Sequence, residues 1–371
     1  MRKLSQIYLV LLLIASTSGC TSINYYRQAV VGHLSLMWRA EPIDELLEAS
    51  ATPPALHHKL ALALDARTFA RDTLALPVGD AFLAYAELGR PWVVVNLVAV
   101  PEFSLAPHQW CYPVLGCQAY RGYYHLDDAR AEEAGFRAQG YDTFIGGVTA
   151  YSTLGWFDDP LQSGFTALPD DRMVALMFHE LAHRVVYIDG DTGFNESFAT
   201  AVQLEGLAAW LQDRGEPARF TRALARLDHR RETQVLVDAA TEKLQALYDR
   251  ADQLDTEHLR ARKQSILAKL DDDYAAAASH WDQPGPFGPA PVHLNNANLA
   301  LFRQYNGWVN SFRQLFRDQG GDFPAFYRAV RALGEQPADA REQTLERLSQ
   351  RFDEHLGVTA GVVSRQLRTG Q

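Results

Sequence analysis

The chain has 371 residues, 47% of them hydrophobic and 22% charged, with a formal net charge of -10. That length and apolar content can bury a large core, as one big domain or two modest ones, and they exclude a disordered chain. The acidic balance argues against a nucleic-acid partner, since no basic patch offsets it, and by itself it names no substrate.

Residues 1–20 differ from all that follows. Arg2 and Lys3 give a positive start, and Ile7 to Ala15 form an apolar run of secretory length, too short to cross a bilayer as a mature helix. Small residues then lead to Cys20 in Thr17-Ser18-Gly19-Cys20. The segment reads as an export signal and resembles the lipobox of bacterial lipoproteins, in which the cysteine is lipidated and becomes the mature N-terminus. Thr17 stands where that pattern usually has Leu, which leaves simple cleavage and an uncleaved anchor as alternatives. Thr21, where an aspartate goes with inner-membrane retention in such lipoproteins, favours the outer membrane.

Residues 21–50 read as a helical lead-in, broken by Thr52-Pro53-Pro54, and helix-forming residues resume from Ala55 to Thr73. Trp92 to Ala99 is β-branched and apolar, the pattern of a strand buried on both faces. Cys111 and Cys117 flank Tyr-Pro-Val-Leu-Gly, where a Pro and a Gly allow a tight reversal. In an exported chain a disulfide is the expected outcome, and two lone thiols without a second pair make zinc the weaker alternative. Asp127 to Gln139 has helical composition ending at Gly140, and Tyr141 to Leu154 reads as a strand region interrupted by Gly146-Gly147. Gly155 to Pro169 is expected to be loop.

Asp170 and Asp171 stand at the positive end of a strongly helical segment with Met173, Val174, Leu176, Met177 and Phe178. A loop with Gly190 and Gly193 leads to a second helix, from near Asn195 toward Gln212 and closed by Gly215. Ala218 to about His280 is charged and helix-rich, with Leu259, Leu267 and Leu270 on a polar background, and reads as a long helical hairpin or arm. Pro284 to Pro291 cannot be helical, and amphipathic helices follow from Asn295 to about Phe352. There are no internal repeats.

The chemistry centres on His179-Glu180-Leu181-Ala182-His183. Two histidines four apart on a helix project from one face, so both imidazoles can reach one metal ion. Glu180 is rotated by about 100°, which sets its carboxylate beside such an ion, where it can take a proton from water. The plain alternative is an exposed helix that happens to carry two histidines, and with 12 histidines in the chain such a pentapeptide arises by chance about once in fifty sequences. Three features weigh against it: the apolar helical run before the motif, the export signal, and a third candidate ligand downstream. That ligand is Glu196 in Asn195-Glu196-Ser197-Phe198-Ala199, on a helix able to pack antiparallel to the first. Its competing role is a carboxylate stabilising a helix N-terminus. Glu205 is the second choice, more than two turns further along. A catalytic zinc wants three protein ligands and one open position, whereas a structural zinc is closed by four.

Asn-Glu-Ser-Phe-Ala after His-Glu-Leu-Ala-His resembles the corresponding segments of alanyl-type metalloaminopeptidases and thermolysin-like enzymes, with a shorter loop between. In both families the glutamate is the third zinc ligand. The chain more closely resembles a bacterial family of predicted aminopeptidase lipoproteins, through Cys111-Tyr-Pro-Val-Leu-Gly-Cys117, Ala119-Tyr-Arg-Gly-Tyr123, the segment from Ala150 to Pro160, and Gly190-Asp-Thr-Gly-Phe-Asn-Glu-Ser-Phe-Ala-Thr200. The resemblance implies an α+β fold with a gluzincin-like metallopeptidase core, zinc as cofactor and peptides as substrates. In related peptidases an edge strand at the position of Gly147 to Leu154 pairs with the substrate. Asp158 or Asp159 after it could hold a free α-amine, or could simply serve an Asp-Pro turn. Tyr305, then Tyr187 and His293, are candidate donors to the developing oxyanion.

The expectation is thus a signal peptide over 1–20, an α+β catalytic core over 21–217 with a small N-terminal sheet, and a mostly helical region over 218–371. The function expected is zinc-dependent peptide hydrolysis, at the N-terminus of the substrate rather than within it by the family resemblance alone, by a protein held through a lipid anchor to a membrane of the bacterial cell envelope. The rival is a lipid-anchored envelope protein with a structural or vestigial metal site, acting as chaperone or scaffold.

Overall fold

A computed structural model describes residues 25, 28, 31–32, 34–112, 116–149, 159–303 and 307–368. The signal segment and Cys20, residues 150–158 with Asp158, and Tyr305 lie outside the described residues. The fold is mixed α+β, mostly helical, with small sheets.

β1 (Glu41–Pro42) pairs antiparallel with β2 (Ala84–Ala86), which pairs parallel with β8 (Leu161–Gln162). The second sheet has the order β6 (Arg121–Tyr123), β3 (Val94–Pro101), β7 (Tyr141–Val148), all antiparallel. Both faces of β3 are covered, as its β-branched run requires. Val95, Leu97 and Ala99 pack with Ala129 and Phe136 of α2 (Leu126–Ala138), while Val98 and Val100 pack with Ala297 and Ala300. β4 (Trp110–Tyr112) and β5 (Gly116–Gln118) form a hairpin that sets Cys111 opposite Cys117, and the two are joined by a disulfide.

α1 (Pro54–Asp72) starts on the proline that ends the lead-in, since proline at the first helical turn costs no hydrogen bond. α3 (Asp170–Ala182) and α4 (Thr192–Asp213) pack side by side. Gly206 permits this, because a Cβ there would lie 2.9 Å from Leu74 Cδ1 and 3.0 Å from Phe178 Cδ2. The segment expected to be loop before α3 carries more structure than its composition showed: β8 and a single turn of helix at Ser163–Thr166. Tertiary pairing of Leu161 with Tyr85 holds it.

The segment from Ala218 to His280 holds α5 (Thr221–Tyr248) and α6 (Thr256–Ala278), which pack together. Leu259, Leu267 and Leu270 are buried between them and α7 (Asn296–Arg303) in a cluster with Leu244 and Phe302. The chain ends in α8 (Val309–Asp318), α9 (Phe323–Gly334) and α10 (Ala338–Arg368). One apolar core encloses α3 and α4 and draws on residues from Ile43 to Leu345, including Phe312, Phe326 and Val330 of the last helices. No helix among the described residues is long and apolar enough to cross a membrane.

Candidate metal centre

α3 begins after Pro169 with Asp170 and Asp171 in its first turn. Asp170 is tied to α1, accepting from Lys59 Nζ at 2.5 Å and facing His58 Nε2 at 2.9 Å. Met173, Val174, Met177, Phe178 and Leu181 recur at helical spacing and are buried, which fixes the rotation of the helix. His179 and His183 therefore share the remaining face, with ring centroids 4.9 Å apart.

The return loop is set by specific polar contacts. Asn195 clamps Ile188 from both sides, its Nδ2 donating to the carbonyl at 2.7 Å and its Oδ1 accepting from the amide at 2.8 Å. Gly190 takes the reversal at φ +75°, a conformation that favours glycine. Asp191 caps α4 by accepting from Phe194 N at 3.0 Å, and buried Arg341 of α10 donates to the same carboxylate at 2.7 and 3.1 Å. Glu196 thus lies one turn into α4, opposite the histidines. Its two oxygens stand 3.4 Å from His179 Nε2 and 3.7 Å from His183 Nε2.

Ligand atoms of these three residues all lie within 4.8 Å of one another. Bonds of about 2.0–2.2 Å in a tetrahedral zinc site put ligand atoms about 3.3–3.6 Å apart, so this donor set fits such an ion. Direct hydrogen bonds would be shorter, near 2.7–3.0 Å. The three side chains are largely buried, and the Nδ1 atoms of both rings have no hydrogen-bond partner among the described residues.

The sequence matches the family described as "Putative aminopeptidase" over residues 24–345. The chain belongs to that family. No curated protein and no solved structure matches it. The match spans both helices of the candidate centre and nearly all of the surrounding core.

Within this aminopeptidase-family chain, burial dominates the electrostatics. It drives the Glu180 carboxyl up to about 7, against the pull of His179 and with a further push from the charges of Glu196 and Asp159. It drives the His183 imidazole down to about 4, helped by the neighbouring His179. For His179 burial also works downward, but the facing carboxylate of Glu196 outweighs it and the imidazole is raised, with Glu180 and then Gln203 adding smaller pushes. Glu196 is the reciprocal case: burial would raise it, and His179 and His183 hold it low.

The other predicted residues separate. Glu205 does not join the group: it accepts from Arg313 Nε at 2.6 Å, and that pair is buried. Asp159 is 5% exposed and close enough for its charge to reach Glu180. Tyr187 is half-exposed on the return loop, and its phenol is raised by partial burial first, then by the charges of Asp189 and Glu196. His293 is exposed, 3.9 Å from Asp271, on a groove beside β7 and outside the group. Gln203 and Arg341 had no sequence signal, since their roles depend on which helix face meets α3 and on a contact 150 residues along the chain.

Proposed function

We propose that the chain is a zinc-dependent aminopeptidase with a gluzincin-like core, in which His179, His183 and Glu196 hold the metal and Glu180 is the general base. One observation carries this reading: two imidazoles and a carboxylate converge at ion-ligand spacing, with a second carboxylate, Glu180, on the same helix beside His179. When bound, zinc supplies Lewis acidity toward the peptide carbonyl and acidifies water. Glu180 accepts the proton of the attacking water at a carboxylate oxygen and delivers it to the leaving amine as the C–N bond breaks. A cation among its neighbours favours the ionised form of Glu180 before attack.

Asp159 offers a buried negative charge for the free α-ammonium of the substrate, the group that separates an aminopeptidase from an endopeptidase. The Tyr187 hydroxyl donates to the carbonyl oxygen as charge develops there. β7, an edge strand among the described residues, pairs through Gly147 and Val148 with the extended substrate backbone. The protein works in the bacterial cell envelope, held by lipid on Cys20.

The test is a pair of peptides differing only in N-terminal acetylation, with zinc measured on the same sample. The free peptide is cut and the acetylated one is not. Glu180→Gln keeps its zinc and loses activity by about 10²–10⁴-fold. A variant that cuts as fast as the parent refutes the assignment of the base, and equal cleavage of both peptides removes the amino-terminal specificity.

A further inference from the structure

The first helical turns of the described chain have two unlike faces. At about 100° per residue, positions 25, 28, 32 and 36 fall on one side, and 31, 34 and 38 on another whose centre lies about 130° round the helix. The first side is fastened to the body. Tyr25 stacks on Tyr112 with centroids 5.3 Å apart and lies under the Arg121 guanidinium at 4.1 Å. Gln28 donates to Gly122 O at 3.3 Å and accepts from Tyr124 N at 3.0 Å. A Cβ at Gly32 would overlap the Tyr124 ring, so glycine lets the helix lie flat there, and Leu36 is buried against Tyr124 and Val93.

The second side is apolar and faces solvent. Val31 is 56% exposed, Leu34 45% and Trp38 86%, three of the six exposed large hydrophobic side chains among the described residues. Single exposed apolar residues are ordinary, but a stripe at helical spacing that ends in an uncovered tryptophan marks an interaction surface. Exposed Arg39 and Glu41 follow it and offset each other, so the described residues of the patch carry no net charge and their attraction is apolar.

We propose that this stripe rests in the interfacial layer of the bilayer to which the chain is anchored, with the Trp38 indole at headgroup depth. The inference rests on the lipid-anchor reading of Cys20. Val31 is eleven residues beyond that cysteine, a reach of at most about 40 Å, so the anchor holds the helix at the membrane surface. Tryptophan is enriched at that depth because its ring is apolar and its N–H is polar. One lipid anchor leaves a body free to swivel. A second contact, rigidly joined to β6 through Gln28 and Leu36, fixes which side of the protein faces the bilayer.

Nitroxide labels test this on the full chain in phosphatidylcholine vesicles, at Trp38→Cys, Leu34→Cys and, as control, Val235→Cys, the native thiols being occupied by lipid and disulfide. On vesicle binding, the labels at 34 and 38 gain collision with oxygen and lose it with a water-soluble nickel complex by several-fold, in low and high salt alike, while the label at 235 stays aqueous. Labels at 34 and 38 that remain as aqueous as 235 on a protein that floats with vesicles overturn the proposal and leave the anchor standing. Labels already shielded before vesicles are added also overturn it, in favour of a second copy (dipolar broadening between labels) or of residues 1–24 as occupant. A chain that does not float overturns it too, and the mass of the N-terminal peptide then tells whether Cys20 carries lipid.

Discussion

Two buried polar clusters in this molecule are built to opposite rules. Where α6 and α7 meet the sheet, Lys263 Nζ donates to Asp142 at 2.6 Å and to Glu102 O at 2.8 Å. Asn296 donates from Nδ2 to Glu102 O and Ser104 O and from its amide to Asp142, at 2.8–3.0 Å, and Tyr248 completes the set. Between α3 and α4 the same kinds of group are buried, yet the His179 and His183 Nδ1 atoms have no partner and the carboxylate sits too far for tight hydrogen bonds. The first cluster satisfies its charges internally and works as a rivet. The second brings two imidazole Nε2 atoms and a carboxylate to the spacing that an ion would complete, an arrangement suited to holding a ligand rather than to closing on itself.

The contrast is broken most directly by Glu196→Gln. Removing a ligand charge should release zinc on dialysis and lower activity by about 10²-fold or more, since even outer-shell changes cost 10–100-fold. The metal-free variant should unfold within about 1 kcal/mol of the metal-free parent, because glutamine keeps the shape of the side chain and the contacts with the imidazoles are long, at 3.4 and 3.7 Å. Metal analysis and denaturant unfolding of both proteins check this, and a loss of several kcal/mol would make Glu196 a structural residue.

Lys263→Met should do the reverse. The lysine side chain is 7% exposed and Asp142 18%, so the substitution leaves a buried carboxylate without its cation and costs about 3–5 kcal/mol. Activity per folded molecule and zinc content should hold. If activity falls in protein that remains folded, the helical hairpin takes part in catalysis and the division between the two clusters fails.

What the sequence made legible follows from the range over which each feature is determined. The strand at Val94–Pro101, the helix carrying His179 and His183, the hairpin of Cys111 and Cys117 and the return to Glu196 are all set within some twenty residues by periodicity, turn residues and spacing. β1, β2 and β8 are two or three residues each and exist only because segments far apart in the chain align, so composition assigned β8 to a loop. Arg341 on Asp191 and Gln203 beside His179 were invisible for the same reason. Glu205 was a sensible second ligand by spacing, and a buried arginine on α8 gives it a different partner.

The smallest effect concerns the exposed rim of the rivet. Arg260 donates to both oxygens of Glu102, at 2.5 and 2.9 Å, and this hydrogen bond holds the Glu102 carboxyl below its ordinary value despite partial burial. A carboxyl with a lowered folded-state pKa stabilises the fold above its unfolded pKa, about 4.3, and that contribution is lost as pH falls through the lowered value. Arg260→Ala should therefore lower the unfolding midpoint slightly at pH 7, and the gap between variant and parent should close on acidification, not on alkaline titration. Unfolding midpoints of variant and parent measured from pH 7 downward check this, and a gap that persists unchanged into acid would show that the Arg260 pair does not act through the Glu102 carboxylate.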